Sequence, residues 1–259
     1  MCRNLIFASV DSRGSRMRRE LFESLLESAK TNDDGFALYA LYPDYETLKV
    51  RTLSLYEYVK TLFSLEDVEL LLLHTHQRAA TMGSRSVDNV HLWESHGLLF
   101  SHNGFVFKYY VPTPTHWSIY SYTGWEERCS ITGGESDSRL FFTGNAEEMR
   151  VALDRGDPRH LQMICERESL SGIVMVNDVE TGRFMAVGVD RSLNVYINRK
   201  TRTVTVSNTP IYNLTGETHV ECEWIYGTPG TTRITFKKSK RKQKAYTYVK
   251  SIYPDYWYD

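Results

Sequence analysis

The order of the predicted secondary-structure elements is the feature that most constrains the fold of this chain. Apolar alternation predicts strands and helical spacing of apolar residues predicts helices. The predicted strands lie at residues 5–10, 36–41, 68–76, 98–101, 105–109, 172–177, 183–189, 194–197 and 203–207, and the predicted helices at 18–29, 54–63, 147–153 and 160–166. Strands and helices do not alternate regularly, and the last four strands form a meander with Gly and Asp turns. This order predicts an α+β fold in which helices cover antiparallel sheets, rather than a Rossmann-type parallel sheet.

One predicted connection is a tight turn at His102-Asn103-Gly104. Asn-Gly between two short apolar segments is the strongest short-range hairpin signal. The sequence therefore predicts a hairpin that joins the strands at 98–101 and 105–109.

Composition supports a folded cytoplasmic protein. The 259 residues are 41% hydrophobic, enough for a sizeable core, and the net charge of −1 favours neither nucleic acid nor a membrane surface. The amino-terminal apolar run is too short for a signal peptide, and no apolar run reaches membrane-spanning length. The four cysteines, at positions 2, 129, 165 and 222, lack the spacing of a zinc site or a disulfide framework. We expect a reducing compartment and no membrane association.

Cys2 is the first candidate catalytic residue. If Met1 is removed, Cys2 carries a thiol and an α-amine on one residue, with ordinary pKa values near ~8.5 and ~8. Both groups can therefore exchange protons close to neutral pH, and an adjacent base makes the nucleophilic thiolate available. An incidental Met-Cys start is the alternative interpretation.

Two charged residues and one turn are further candidates. Arg78 follows an apolar strand and precedes a Gly turn, a position suited to bidentate binding of a carboxylate. Asp137 lies in a Gly- and Ser-rich segment, where it can hold an ammonium group. The Asn103 side chain and the Gly104 N–H are close together in sequence, as donors that stabilise an oxyanion must be in space. Read singly, a surface ion pair, a solvated loop acid and a plain hairpin turn explain these residues better than a functional role does.

Together, these segments resemble the class II glutamine amidotransferase domain of the N-terminal-nucleophile hydrolases, of the stand-alone type. The family begins with Met-Cys and continues with motifs matched here, in the same order, by residues 32–37, 78–83, 89–91, 102–104 and 136–138. The resemblance implies a four-layer αββα sandwich of two antiparallel sheets with a C-terminal β extension. It covers residues 2–214 as one domain, and residues 215–259 form a basic and aromatic extension.

The resemblance also implies site residues and a mechanism. Cys2 attacks the glutamine side-chain amide and forms a thioester, with its own α-amine as general base, while Asn103 and Gly104 stabilise the oxyanion. Arg78 binds the substrate α-carboxylate, supported by Thr81, and Asp137 binds the α-ammonium. No cofactor and no metal are expected. Arg3, Met82 and Arg139 depart from residues common at these positions in the family, and the presence of Arg3 leaves glutamine or another γ-glutamyl amide as the substrate.

Four histidines suggest a metal site as an alternative. His74 and His76 alternate along one predicted strand and can share a face, with His91 and His102 further along the chain. No acidic residue has the spacing of a partner ligand, so the sequence does not favour this interpretation.

The carboxyl-terminal segment is the candidate partner surface. Residues 224–259 contain eight basic and two acidic residues, whereas the preceding residues contain 23 basic and 30 acidic ones. The basic tail at 233–250 is either a solvated hairpin tip or a dock for a protein or nucleic acid. Because the sequence contains no recognisable acceptor domain, we expect a separate synthase subunit to receive the ammonia. The alternatives are a self-sufficient γ-glutamyl amide hydrolase for a small metabolite and an inactive fold used as a binding or scaffold protein.

Overall fold

A computed structural model describes residues 2–80, 83–107, 135–212, 214, 216–231 and 233–239. The strands in these ranges are β1 (Arg3–Ser9), β2 (Ser15–Arg16), β3 (Phe36–Leu41), β4 (Thr47–Thr52), β5 (Glu69–Leu70), β6 (Leu72–Gln77), β7 (Trp93–Ser95), β8 (Leu98–Val106), β9 (Leu170–Asp178), β10 (Phe184–Gly188), β11 (Leu193–Asn198), β12 (Thr203–Ser207), β13 (Thr218–Gly227) and β14 (Ile234–Lys238). The helices are α1 (Arg19–Ala29), α2 (Leu55–Ser64), α3 (Asp137–Arg155) and α4 (Pro158–Arg167), and a short 3₁₀ helix covers Val87–Asn89.

The strands form one long antiparallel sheet in the order β4-β3-β6-β1-β12-β11-β13-β10-β9-β8-β7. β13 joins the two halves, since Thr218–Cys222 of this strand pairs with β11 and Trp224–Gly227 pairs with β10. β14 pairs with β13, and β2 and β5 form a separate two-stranded sheet. The two sheets expected from the resemblance are therefore two halves of one curled sheet.

Alternating side chains of β1 show how the layers are built. Leu5 and Phe7 point outward into a core shared with α1 and α2, whereas Ile6 and Ala8 point inward to the other half-sheet. The outer face of β8, β9 and β10 forms a third core with α3 and α4. Helices, half-sheet, half-sheet and helices thus follow one another, which is the four-layer αββα order expected from the sequence.

The predicted hairpin at Asn103-Gly104 is wrong. β8 runs through both residues without a turn and pairs with β9 along its whole length. Gly104 lies opposite Gly172 of β9, and a Cβ atom on Gly104 would lie 1.9 Å from the Ser171 carbonyl oxygen. Glycine is needed here for a close approach of two strands rather than for a turn.

The other predicted elements agree with the structure within a few residues, except that α3 begins ten residues earlier than expected. The Ser136 side chain caps this helix by accepting a hydrogen bond from the Arg139 N–H, and Asp137 is the first helical residue. The start of α3 therefore fixes the position of Asp137, one of the candidate site residues.

The predicted C-terminal extension supplies β13 and β14. β13 lies inside the long sheet rather than beside it, so the described part of the extension belongs to the same sheet as the rest of the chain. The boundary at residue 214 stays a prediction. No helix in the described part of the chain combines the length and apolar character needed to cross a membrane.

The Gly104–Gly172 contact gives a test of the fold. Gly172 has φ +123°, and a Cβ there would lie 2.1 Å from the Asn103 carbonyl oxygen. We expect Gly172→Ala to lower the free energy of unfolding in urea by about 2 kcal/mol or more, because it adds backbone strain and a steric clash. The matched control is Gly144→Ala in α3, where a Cβ meets nothing within 4 Å; removing a helical glycine should raise stability by about 0.5–1 kcal/mol. Equal effects of the two changes would show that the β8–β9 contact does not require glycine.

Candidate active site

Cys2 immediately precedes β1, which lies between β6 and β12, and is half-buried. Its sulfur accepts a hydrogen bond from the Ala79 N–H at 3.2 Å. The turn that precedes β3 holds the Ala79 segment in place: Arg78 N donates to Gly35 O at 2.8 Å, and Ala80 N donates to the Asp34 carboxylate at 2.7 Å. The motif at 32–37 thus positions the loop that contacts the sulfur.

Groups around Cys2 change the pKa of its thiol in opposite directions. Burial raises the pKa of the Cys2 thiol, because a thiolate is poorly stabilised away from water. The Ala79 N–H and the Arg78 guanidinium favour the thiolate and partly offset the effect of burial. A base next to the sulfur would therefore be required to form the nucleophile near neutral pH.

The carbonyl oxygen of Cys2 accepts hydrogen bonds from two side-chain amides. Asn103 Nδ2 donates to it at 2.5 Å and Asn208 Nδ2 at 2.8 Å. Asn103 lies on β8, in the other half-sheet, so this contact joins the two half-sheets beside the sulfur. Since an amide nitrogen carries two hydrogens, Asn103 has a second N–H for another acceptor.

Arg78 is 2% exposed and lies beside Cys2. Its guanidinium donates to the carbonyl oxygens of Ser84 at 2.9 Å and Gly83 at 3.2 Å, which fixes its orientation. Thr81, the predicted supporting residue, lies outside the described residues.

Asp137 lies at the start of α3 and is also buried. Its carboxylate accepts hydrogen bonds from the N–H groups of Val106, at the end of β8, and Ser138, each at 2.8 Å. A second link joins the same elements, because His102 Nδ1 lies 2.9 Å from the Ser138 hydroxyl. The strand that carries Asn103 and Gly104 and the helix that carries Asp137 are therefore held together.

Asn89 completes a ring of contacts that runs from Cys2 through the Arg78 loop, the start of α3 and β8 back to Cys2. Its Nδ2 donates to the Ser84 carbonyl oxygen at 3.0 Å, and its Oδ1 accepts from the Ser136 N–H at 2.9 Å. The loop that orients Arg78 is thus tied to the start of the helix that carries Asp137. The structure brings the five described candidates, Cys2, Arg78, Asn103, Gly104 and Asp137, into one region.

The four histidines serve as buried polar groups of the interior. His74 contacts Asn177 at 2.7 Å and Ser101 at 2.6 Å, and His76 stacks on His91 with ring centroids 3.7 Å apart. Burial lowers the pKa of His74 to about 4 and lowers the pKa values of His76 and His91 well below the usual range. Among the residues that the structure describes, no group of three or more His, Cys, Asp or Glu side chains could hold a metal ion.

Two donors near Cys2 could not be recognised from the sequence. The Ala79 N–H is a backbone group, and its residue type carries no signal for this role. Asn208 follows β12 in the sequence and belongs to none of the matched motifs. Only the pairing of β1 with β6 and β12 brings both donors to Cys2.

Several solved structures are similar to this chain. The glutamine phosphoribosylpyrophosphate amidotransferase from B. subtilis, complexed with ADP and GMP, is 14% identical over 93% of this chain and 50% of its own, with a TM-score of 0.54. An allosteric regulatory enzyme of purine biosynthesis is 15% identical over 93% of this chain and 50% of its own, with a TM-score of 0.55. A glutamine aminotransferase class-II domain protein from Silicibacter pomeroyi is 15% identical over 92% of this chain and 99% of its own, with a TM-score of 0.46.

The first two comparisons establish the fold of the chain. It is the fold of class II glutamine amidotransferase domains, the N-terminal-nucleophile hydrolase architecture expected from the sequence. The chain spans half the length of the first two enzymes. No protein-family model matches the chain, and no curated protein sequence matches it.

The buried His74 predicts how stability depends on pH. Its pKa is about 4 in the folded protein, against about 6.5 for an ordinary histidine, so unfolding takes up a proton between these values. The free energy of unfolding should therefore fall as the pH falls from 6.5 to 4, by up to about 1.4 kcal/mol per pH unit for this residue. We expect His74→Gln to remove that part of the slope in urea titrations at a series of pH values. Exposed His96 provides the control, and the prediction fails if His96→Gln flattens the slope as much as His74→Gln does.

Proposed function

We propose that this protein is a glutaminase that hydrolyses the side-chain amide of glutamine after removal of Met1, with Cys2 as the nucleophile. The observation that carries the proposal is the contact of Cys2 with two separate elements of the fold. Its sulfur accepts the Ala79 N–H at 3.2 Å, and its carbonyl oxygen lies 2.5 Å from Asn103 Nδ2. A sulfur, a predicted oxyanion donor and the segment that carries Arg78 are thus adjacent.

The first half of the proposed reaction forms a thioester. The α-amine of Cys2 takes the thiol proton, and the thiolate attacks the carboxamide carbon to give a tetrahedral oxyanion. The second N–H of Asn103 and the Gly104 N–H donate to this oxyanion; one such donor is typically worth about 10²–10³ in rate. As the intermediate collapses, the C–N bond breaks and the ammonium of Cys2 returns its proton to the leaving ammonia.

The second half regenerates the enzyme. The α-amine of Cys2 takes a proton from a water molecule, whose oxygen attacks the thioester carbon. The C–S bond then breaks, the sulfur leaves as a thiolate that regains the proton from the ammonium, and glutamate is released. The same amine therefore acts as base and then as acid in each half of the reaction.

The proposed substrate contacts match a zwitterion. Arg78 binds the α-carboxylate, with Thr81 in support, and Asp137 binds the α-ammonium. Burial of Arg78 and Asp137 supports these roles, because charged hydrogen bonds are stronger where water is excluded. The ring of contacts through Asn89 keeps the two charged side chains at a fixed separation.

We further propose that the released ammonia goes to a separate synthase subunit. The B. subtilis glutamine phosphoribosylpyrophosphate amidotransferase, half of which is matched by this chain, supports a role in which ammonia passes to acceptor chemistry outside the matched part. The exposed Lys238 and the half-buried Lys237, in the basic tail at 233–250, make β14 the proposed docking edge.

The Cys2 variant tests the proposed nucleophile. We expect Cys2→Ala to abolish glutamate release from glutamine, because the proposed thioester forms on the Cys2 sulfur. Cys165→Ala is the control: this thiol is buried in the α4 core, and its loss should leave activity in place. Intact-mass measurement should show a wild-type chain that begins at Cys2. Larger γ-glutamyl amides assayed in parallel identify the preferred substrate, and glutamate release that survives Cys2→Ala would disprove the mechanism.

Asp137 is tested with a substrate that lacks the ammonium group. Because a charge-assisted hydrogen bond is worth about 1.5–3 kcal/mol, we expect Asp137→Asn to raise KM for glutamine by about tenfold or more. KM for glutaramate, which has no α-ammonium, should change little. Asp154→Asn, near the other end of α3, is the matched control and should change neither KM. If Asp137→Asn raises both KM values equally, Asp137 does not recognise the ammonium.

A further inference from the structure

Asn208 lies where the pairing of β1 with β12 ends. The last backbone register pair is Leu5 with Ser207, and the Asn208 N–H then donates to the Asn4 carbonyl oxygen at 3.1 Å. β12 ends at Ser207, and Pro210 follows, which has no N–H to offer a neighbouring strand. The backbone of β12 therefore does not continue the ladder beside Cys2.

The Asn208 side chain continues the ladder instead. Its Oδ1 accepts from the Asn4 N–H at 2.7 Å, and its Nδ2 donates to the Cys2 carbonyl oxygen at 2.8 Å. A side-chain amide carries one carbonyl and one N–H₂ group, so it can replace a peptide group as a hydrogen-bonding partner. One side chain thus holds the peptide groups on both sides of Arg3.

This contact bears on the geometry of the nucleophile. A first residue frays unless hydrogen bonds hold it. The Cys2 carbonyl lies in a planar peptide unit, so holding its oxygen fixes the orientation of that plane and the place of the Cys2 Cα atom, which carries the α-amine and the side chain. With this plane held by Asn208 and Asn103, the Ala79 N–H at the sulfur restrains the remaining rotation about the Cα–C bond.

We propose that Asn208 is a positioning residue for the nucleophile, acting through the backbone of Cys2 and Asn4. The inference rests on the proposed function, in which the amine and the sulfur of Cys2 must both reach one substrate. Asn208 does not touch the substrate. It holds Cys2 in the conformation that the reaction needs and keeps the Asn103 amide aligned on the shared oxygen.

The test uses two readouts on the full-length protein. The first is glutamine hydrolysis: Asn208→Ala should lower kcat about ten- to a hundredfold and leave KM within about threefold, because misplacement of reacting groups affects kcat more than binding. The second does not depend on activity. Aminopeptidase should remove Cys2 and Arg3 about tenfold faster or more in the variant, since two hydrogen bonds that hold this segment are lost.

Two further variants give the controls. Asn198→Ala removes an amide that accepts the Lys200 and Thr201 N–H groups at the opposite end of the β11–β12 hairpin, and it should alter neither readout. Asn208→Asp keeps an acceptor for the Asn4 N–H but loses the donor to Cys2, so its kcat should also fall, which ties the effect to the Cys2 carbonyl.

The outcomes separate this inference from the proposed function. Unchanged trimming in Asn208→Ala overturns the inference, and so does a loss of kcat that Asn198→Ala reproduces. A different outcome is that aminopeptidase trims Asn208→Ala faster while the wild-type protein does not hydrolyse glutamine. That outcome would support the role of Asn208 and reject the proposed reaction.

Discussion

In the proposed enzyme, removal of Met1 leaves Cys2 with a covalent bond on one side only, so hydrogen bonds must fix its position. The site around Cys2 depends on this constraint. Three elements meet it from different directions: the Ala79 N–H at the sulfur, and Asn103 and Asn208 at the carbonyl oxygen. β1 lies between β6 and β12, so Ala79, which follows β6, and Asn208, which follows β12, reach Cys2 from both sides. A nucleophile before an edge strand would lack one of these three contacts.

The polar residues near Cys2 continue into the space between the half-sheets. Asn4 contacts Ser101, which contacts His74, which in turn contacts Asn177. Buried polar groups are costly unless they are hydrogen-bonded, and these contacts pair Asn4 Oδ1, the Ser101 hydroxyl and the His74 ring across the two half-sheets. Further along β1, Ile6 occupies the same inner face and begins the apolar core. The inner face of β1 therefore changes from polar near the site to apolar away from it, and the chain of hydrogen bonds fixes the spacing of the half-sheets.

Much of this arrangement could be predicted from local sequence patterns. The predicted bounds of β3 and β12 match the structure, because apolar alternation and flanking turn residues define both strands. The Asn103-Gly104 hairpin was wrong because the same dipeptide suits a turn and a close strand contact. Gly172, which decides between them, is distant in sequence. Residues 136–138 were recognised as a motif, but the helix that begins there was not, because the expected helix was defined by its apolar spacing further on.

The groups that could not be predicted share a physical property. The Ala79 N–H is a backbone group that nearly every residue has, so residue type does not reveal it. Asn208 acts through its side chain, but only because β12 ends one residue earlier, beside β1. Such positions are set by strand register, and register is decided by contacts over the whole sheet. This also explains how the fold can be shared with enzymes that are 14–15% identical to this chain. The site needs a few side chains at fixed positions, and the remaining requirements fall on the backbone, which many sequences can satisfy.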